Sequence, residues 1–189
     1  MTISDTIFAA IDFESAGEAP GQTDAPVQAG MACMKGPEMM VDTFFRSYLN
    51  PRRSVTWAAR RVHGITTEQL HCAPEMSALW PEFRNRLAGR VVVAHSAGTE
   101  KRFLRLFPVH GFGPWVDTLT LARRAWPGLP DYSLEALAEA LGFSLELDAL
   151  CPRLKFHDAL YDAVASLLVL RTFVHAAGLW DHPPGAIPG

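Results

Sequence analysis

Residues 7–15 constrain the fold most, because an unbroken apolar run there leads directly into two carboxylates. An apolar run of this length is typical of a strand buried at the centre of a sheet. Side chains alternate between the two faces of a strand, so Asp12 and Glu14 point to the same side, about 7 Å apart. Two acids on one face are costly to bury unless a cation compensates their charge. The segment therefore predicts either a metal site or a solvated strand end.

The order of the remaining segments predicts a mixed sheet. Residues 27–34 and 41–49 have the pattern of strands joined by a turn, and with the first strand they would form an antiparallel meander. The short apolar strand at residues 91–94 lies between segments of helical periodicity, which implies parallel pairing and an α/β fold. Further helices are expected at residues 77–87, 97–107, 118–126, 133–142 and 158–177, and a fifth strand at residues 114–117.

Composition narrows the class of protein. With 189 residues, 49% of them hydrophobic and 20% charged, the chain matches a soluble globular protein. The formal net charge of −3 creates no global field that attracts a polyanion, so a nucleic-acid role requires a local site. We expect residues 1–178 to form one domain and residues 179–189 to be disordered.

The cysteine pattern and the hydropathy of the sequence predict the cellular compartment of the protein. The three cysteines are scattered, with no CxxC and no histidine at zinc spacing, which fits a reducing environment. No signal peptide is evident, and no apolar run reaches the roughly 18–20 residues that span a membrane. We therefore expect a cytoplasmic protein with no membrane partner.

Four segments, in this order along the chain, resemble the motifs of the histidine-bearing class of DEDD-type 3′→5′ exonucleases. They are AIDFE at 10–14, VHGIT at 62–66, VAHSA at 93–97 followed by Glu100, Phe103 and Leu104, and HDALYDA at 157–163. The second segment is similar to one common in the branch containing the proofreading epsilon subunit of bacterial DNA polymerase III. The resemblance covers about residues 7–175.

This resemblance implies an RNase H-like fold, in which a five-stranded mixed sheet has its first three strands antiparallel and carries helices on both faces. It implies hydrolysis of phosphodiester bonds at the 3′ end of single-stranded DNA or RNA, one nucleotide at a time. It also implies two Mg²⁺ or Mn²⁺ ions as cofactors. A polymerase or repair complex is a further partner to test.

The resemblance implies a catalytic centre of four acids and one histidine. Asp12, Glu14, Glu100 and Asp162 would bind the metal ions, because two hard cations held close together require several carboxylates. His157, as a neutral imidazole, would take a proton from the attacking water. The alternative for His157 is a helix-entry residue that makes only a local hydrogen bond.

The second motif departs from the family pattern. Glu100 stands where the family has aspartate, and its extra methylene carries the carboxylate about 1–1.5 Å further, enough to matter in a metal site. Glu100 would bind a metal in a widened site, hold it through water, or point away. It could also be only a first-turn acid favoured by the helix dipole. Asp158 is expected to cap the last helix rather than bind metal.

Substrate contacts are expected from four residues. By resemblance, Ser15 lies where the terminal sugar is held, while His63 and Ile65 lie beside the terminal base. Phe103 would stack on a base, or else belong to the core, since it shares helical spacing with Phe107.

A cluster of arginines around Trp57 is expected either to contact phosphates or to form a solvated basic face. Two functions of other classes stay open beside the exonuclease. One is a catalytically silent nucleic-acid-binding module in which Glu100 has weakened metal affinity. The other is an interaction protein that docks on a polymerase or repair factor.

Overall fold

Five strands and seven α-helices form the part of the chain described here, residues 1–188 of a computed structural model. The strands are β1 (Ile7–Ser15), β2 (Pro26–Lys35), β3 (Glu38–Tyr48), β4 (Val91–Ala94) and β5 (Trp115–Asp117). The helices are α1 (Trp57–His63), α2 (Trp80–Leu87), α3 (Gly98–Leu104), α4 (Thr118–Ala125), α5 (Leu134–Ala140), α6 (Ser144–Leu150) and α7 (Ala159–Ala176). Single 3₁₀ turns occur at Glu68–Leu70, Met76–Leu79 and Pro184–Ala186.

The strands form one sheet in the order β3-β2-β1-β4-β5. The first three strands pair antiparallel, whereas β4 pairs parallel to both β1 and β5. The expected α/β class and mixed sheet are confirmed. β1 lies at the centre because its apolar residues can be buried on both faces, which suits a strand with a neighbour on each side.

Each face of β1 packs against a different layer of helices. Phe8 and Ala10 belong to the hydrophobic layer that contains α7 together with residues of α4, α5 and α6. Ala9 and Ile11 face the opposite layer, which contains residues of α2 and α3. Because side chains alternate along a strand, the two acids of β1 continue the row of Phe8 and Ala10, towards α7.

The N-terminal end of α7 approaches the sheet directly over Gly30, which is paired with Asp12 in the register of β1 and β2. A Cβ atom at Gly30 would lie 2.0 Å from the carbonyl carbon of Ala159 and 2.1 Å from the nitrogen of Leu160. Both atoms belong to backbone, so neither can rotate away. Gly30 therefore allows the first turn of α7 to lie beside the carboxylates of β1.

Gly30→Ala is expected to destabilise the protein by about 1–3 kcal/mol or more, because α7 must move away from the sheet. Urea denaturation of the variant and the wild type would measure the loss. Gly185→Ala is the matched control, since an added Cβ there meets no atom within 4 Å. Equal stability of Gly30→Ala and wild type would contradict this account of the contact.

α7 is apolar on all sides, which is typical of a helix buried in a core. By length and composition it could also cross a membrane, but 67% of its apolar window is buried inside the fold. Its side chains contact both β1 and β2 and the helices α4, α5 and α6. This packing accounts for its hydrophobicity.

Residues 179–188, which belong to the stretch expected to be disordered, are joined to the N-terminal segment by hydrogen bonds in the structure. Gly189 lies outside the described residues. The backbone N–H of Ile3 donates to His182 O (2.8 Å), and that of Ser4 donates to Trp180 O (3.0 Å). Ile187 is 7% exposed and belongs to the α7 core layer. Backbone hydrogen bonds and buried apolar side chains thus fix this segment against the N-terminus, despite its Pro- and Gly-rich composition.

Candidate active site

Three structural elements bring four carboxylates together at the end of β1. Asp12 and Glu14 come from β1, Glu100 from the first turn of α3, and Asp162 from the first turn of α7. Glu100 is 3% exposed and Asp162 is 8% exposed. The acid cluster, as we call these four residues, is thus assembled from segments that are far apart in the sequence.

Electrostatic interactions link Asp12 to each of the other three acids. Burial raises the pKa of Asp12 well above its usual range, and the charges of Asp162, Glu100 and Glu14 raise it further. Burial raises the pKa of Glu14 to about 7 and that of Asp162 to about 8. Because the charges of all three other acids act on Asp12, it lies at the centre of the cluster.

Glu100 points into the acid cluster rather than to solvent. Burial raises its pKa to about 7, with the charges of Asp117 and Glu14 contributing in the same direction. Its Oε2 atom is buried and has no hydrogen-bond partner among residues 1–188. A buried carboxylate without a partner is costly, so the side chain is suited to a cation that would compensate it.

The donor atoms also fit a divalent metal ion. Glu14, His157 and Asp162 each offer one ligand atom, and these atoms lie within 4.8 Å of one another. Asp162 Oδ1 is buried and, like Glu100 Oε2, lacks a hydrogen-bond partner in the described chain. Carboxylate oxygens are the ligands that Mg²⁺ and Mn²⁺ prefer. The chemistry of this donor set matches the metal requirement inferred from the sequence.

His157 is held at the entrance of α7 by its neighbours. Its backbone N–H donates to Asp162 Oδ2 (3.1 Å), while the Asp158 side chain accepts from Leu160 N and caps the helix. The backbone of His157 has a φ of +67°, which is uncommon for a residue other than glycine. Strained backbone of this kind is concentrated at functional sites. The predicted N-cap role of Asp158 is confirmed.

Three residues of the acid cluster line a cleft of about 290 Å³ that is open to solvent. It is lined by Asp12, Phe13, Glu14, His95, Ser133, Leu134, Glu135, Phe156, His157 and Asp162. His95 and residues 133–135 were not among the predicted site residues, although His95 is part of the second motif. Because the cleft is open, a substrate can reach the carboxylates from solvent.

His95 is held at the wall of this cleft by contacts to both of its ring nitrogens. Its Nδ1 lies 3.0 Å from the Thr118 hydroxyl, and its Nε2 lies 2.9 Å from Tyr132 O. Since a carbonyl can only accept, Nε2 carries the proton. Burial lowers the pKa of His95, in keeping with the neutral imidazole.

Ser15 and His63 lie next to each other beside the acid cluster. Ile65 N–H donates to His63 Nδ1 (3.0 Å), which leaves Nε2 to donate to Ser15 O (3.0 Å). Burial lowers the pKa of His63, and the charge of His157 lowers it further. The structure thus places His63 near His157, and both residues line the same cleft.

Ile65 and Phe103 are mainly core residues. Ile65 is 4% exposed and packs with Ala16, although it also lines a cleft next to His63. Phe103 is 7% exposed and lies edge-on to the Phe13 ring, with 5.6 Å between the ring centres. For Phe103 the structure favours the core alternative over base stacking.

The predicted arginine cluster divides into two parts. Arg52 pairs with Glu75, and the largely buried Arg53 donates to Gly17 O, so both are used within the protein. Arg61 lies over the ring of the exposed Trp57, 4.8 Å from its centre. Only this second part resembles a free basic face.

The pKa shifts predict how the metal-free protein responds to pH. Acids whose pKa is higher in the folded than in the unfolded chain stabilise the fold at low pH, and that contribution is lost as pH rises from about 4.5 through about 7–8. In EDTA, we expect the melting temperature to fall by about 5–10 °C between about pH 5.5 and pH 8.5. Adding Mg²⁺ or Mn²⁺ at the higher pH should reverse the fall.

Thermal denaturation followed by circular dichroism measures this effect. Asp162→Asn removes one of the titrating groups and should reduce both the pH dependence and the response to metal. A melting temperature that responds to neither pH nor metal would contradict the proposed cluster of facing acids.

Comparison with known proteins agrees with this geometry. The exonuclease family RNase_T matches residues 9–170. The DNA polymerase III PolC-type of Thermotoga maritima is 30% identical over 178 residues, which are 92% of this chain and 12% of that protein. A DNA polymerase III subunit epsilon-like protein of Rhodobacter capsulatus is 29% identical over 163 residues, 84% of this chain and 22% of that protein. The chain thus spans less than a quarter of the length of these two relatives.

Solved structures show the same architecture. Exonuclease X in complex with 5′ overhanging duplex DNA has a TM-score of 0.77 and 25% identity, and the match covers 96% of this chain and 99% of that one. Exonuclease I has a TM-score of 0.68 and 18% identity over 90% of this chain and 41% of its own, a likeness of fold. The family match includes most of β1, all of α3 and the first turn of α7, and therefore every residue of the acid cluster. The chain belongs to the RNase_T family of exonucleases.

Proposed function

We propose that this chain removes nucleotides one at a time from the 3′ end of single-stranded DNA or RNA. The observation that carries the proposal is the acid cluster beside His157, with two buried carboxylate oxygens that lack partners. Such a site is suited to two divalent cations, Mg²⁺ or Mn²⁺, held by Asp12, Glu14, Glu100 and Asp162. Bound cations would stabilise the charge that develops on the phosphate during in-line displacement.

Other side chains would act as the general base and bind the terminal nucleotide. His157 is exposed at the edge of the cluster, where its imidazole would take a proton from the attacking water molecule. Ser15 at the end of β1 and His63 at the end of α1 would hold the terminal nucleotide. Their mutual hydrogen bond keeps this edge of the site in place.

Two relatives support the choice of substrate and partner. Exonuclease X was solved in complex with 5′ overhanging duplex DNA, and this supports DNA as the substrate. The DNA polymerase III relatives support a polymerase complex as a partner. The inward orientation of Glu100 supports an active enzyme over the silent binding module.

A direct test is digestion of 5′-labelled oligonucleotides with Mg²⁺, Mn²⁺ or EDTA. Single-stranded, 3′-overhanging and 5′-overhanging substrates should be prepared as both DNA and RNA. We expect a metal-dependent ladder that shortens from the 3′ end, and the preferred sugar will be the one cleaved faster. Internal cuts, a ladder from the 5′ end, or no cleavage with any metal would refute the proposal.

A further inference from the structure

A second cleft, of about 380 Å³, adjoins the acid cluster. It lies between β3 and the loop at residues 151–158, and His157 lines both clefts. We call it the basic cleft, because three of its lining residues are the cations Arg46, Arg153 and Lys155. The two clefts thus meet at one histidine and carry opposite charge.

The floor of the basic cleft is a network of buried polar groups. Gln28, which is 1% exposed, donates to Asp158 Oδ2 (3.1 Å) and accepts from Ala159 N (2.8 Å). Arg46 pairs with the same Asp158 oxygen at 2.6 Å and lies over the ring of Tyr48. The one carboxylate of the cleft is therefore already compensated by Arg46 and bonded to Gln28.

The other two cations have no such partner. Arg153 and Lys155 are exposed, and no carboxylate within residues 1–188 forms an ion pair with either of them. Arg153 has a φ of +70°, so this loop contains a second non-glycine residue with a left-handed backbone besides His157. Two positive charges of the basic cleft are thus left available to a ligand.

The charge of the two clefts matches the repeating charge of a nucleic-acid strand. A phosphate placed beside metal ions in the acid cluster has neighbouring phosphates on the same strand, and these require positive charge. We propose that the basic cleft is a phosphate subsite that binds a nucleotide phosphate through Arg153 and Lys155, an inference that rests on the proposed function. The phosphate would belong either to the strand or to the released nucleoside monophosphate.

Binding measurements test the subsite without requiring turnover. Fluorescence anisotropy of a labelled single-stranded 12-mer would be measured with Asp12→Asn protein, which is not expected to cleave it. Adding Arg153→Ala and Lys155→Ala should weaken binding at least about tenfold, because two charge-assisted contacts are lost. The magnitude of the slope of log K against log salt should fall by about 0.7, since the two cations neutralise one phosphate and each phosphate neutralised on a single strand contributes about 0.7.

The matched control carries Lys35→Ala and Arg84→Ala, two exposed residues outside the basic cleft. Lys35 pairs with Ile7 at the opposite end of β1, about 23 Å from Glu14 along the strand. This control should bind within twofold of the parent. Exchanging the two cleft cations for each other, Arg153→Lys with Lys155→Arg, should restore most of the affinity and salt dependence.

Competition by dTMP distinguishes the two sources of the phosphate. If the strand supplies it, the alanine variants weaken the 12-mer but leave the inhibition constant of dTMP unchanged. If the product supplies it, they raise that constant and leave the 12-mer unchanged. Affinities and inhibition constants equal to those of the control would overturn the subsite. A wild type that lacks 3′-end hydrolysis would refute the proposed function, whereas the binding difference would still report on the cleft.

Discussion

Asp12→Asn is expected to reduce 3′-end hydrolysis at least about a thousandfold. Metal ions contribute several kcal/mol of transition-state stabilisation, and each 1.36 kcal/mol corresponds to a factor of ten in rate. Asp12 interacts with all three other acids of the cluster, so its carboxylate is central to any cation bound there. Single-turnover rates with a labelled oligonucleotide would measure the loss.

The melting temperature of Asp12→Asn shows whether the loss of activity results from the missing carboxylate or from unfolding of the protein. Removing the Asp12 charge relieves repulsion within the acid cluster, so the metal-free variant should melt at least as high as the wild type at about pH 8. Asp42→Asn makes the same chemical change on the exposed surface of β3 and should leave the rate unchanged. An Asp12 variant that retains wild-type rates would refute the assignment of the metal site.

His157→Asn is expected to lower the rate of the chemical step by about 10²–10⁴-fold, the usual contribution of a general base. Asparagine is the suitable replacement because it tolerates the positive φ of this position better than most residues. Oligonucleotide affinity should change much less than the rate, since the acid cluster and the basic cleft remain.

The pH profile of the rate provides a second readout for His157. If His157 is the general base, the pH dependence of the residual activity of His157→Asn should differ from that of the wild type. His71→Asn, an exposed histidine remote from both clefts, serves as the control. An unchanged rate and pH profile in His157→Asn would leave the histidine with only its local structural role.

Local sequence patterns predict the central strand β1, but they do not predict the outer helices α1 and α6. The apolar run of β1 and the spacing of its two acids are sequential features, so both the central strand and the facing of Asp12 and Glu14 follow from residues 7–15 alone. Helices α1 and α6 are not predictable in this way. α1 has no buried residue and α6 has only Leu147, so neither shows a hydrophobic repeat.

The sequence likewise predicts one part of the site, the acid cluster, and does not predict the other part, the basic cleft. The acid cluster is carried by short motifs, and the resemblance to known exonucleases identifies it. The basic cleft combines Arg46 of β3 with residues more than a hundred positions later, and its polar floor comes from β2. No local pattern links these segments, because their proximity is created only when α7 packs over Gly30.

The hydrogen bonds that join residues 3 and 4 to residues 182 and 180 have a consequence for how such a unit can be built into larger proteins. The polypeptide enters and leaves the fold at adjacent points on its surface. A unit with neighbouring entry and exit points can be inserted into a surface loop of a host protein without separating the ends of the loop. It can also be reconnected as a circular permutant through a short linker, with new ends at an exposed turn such as Pro127-Gly128.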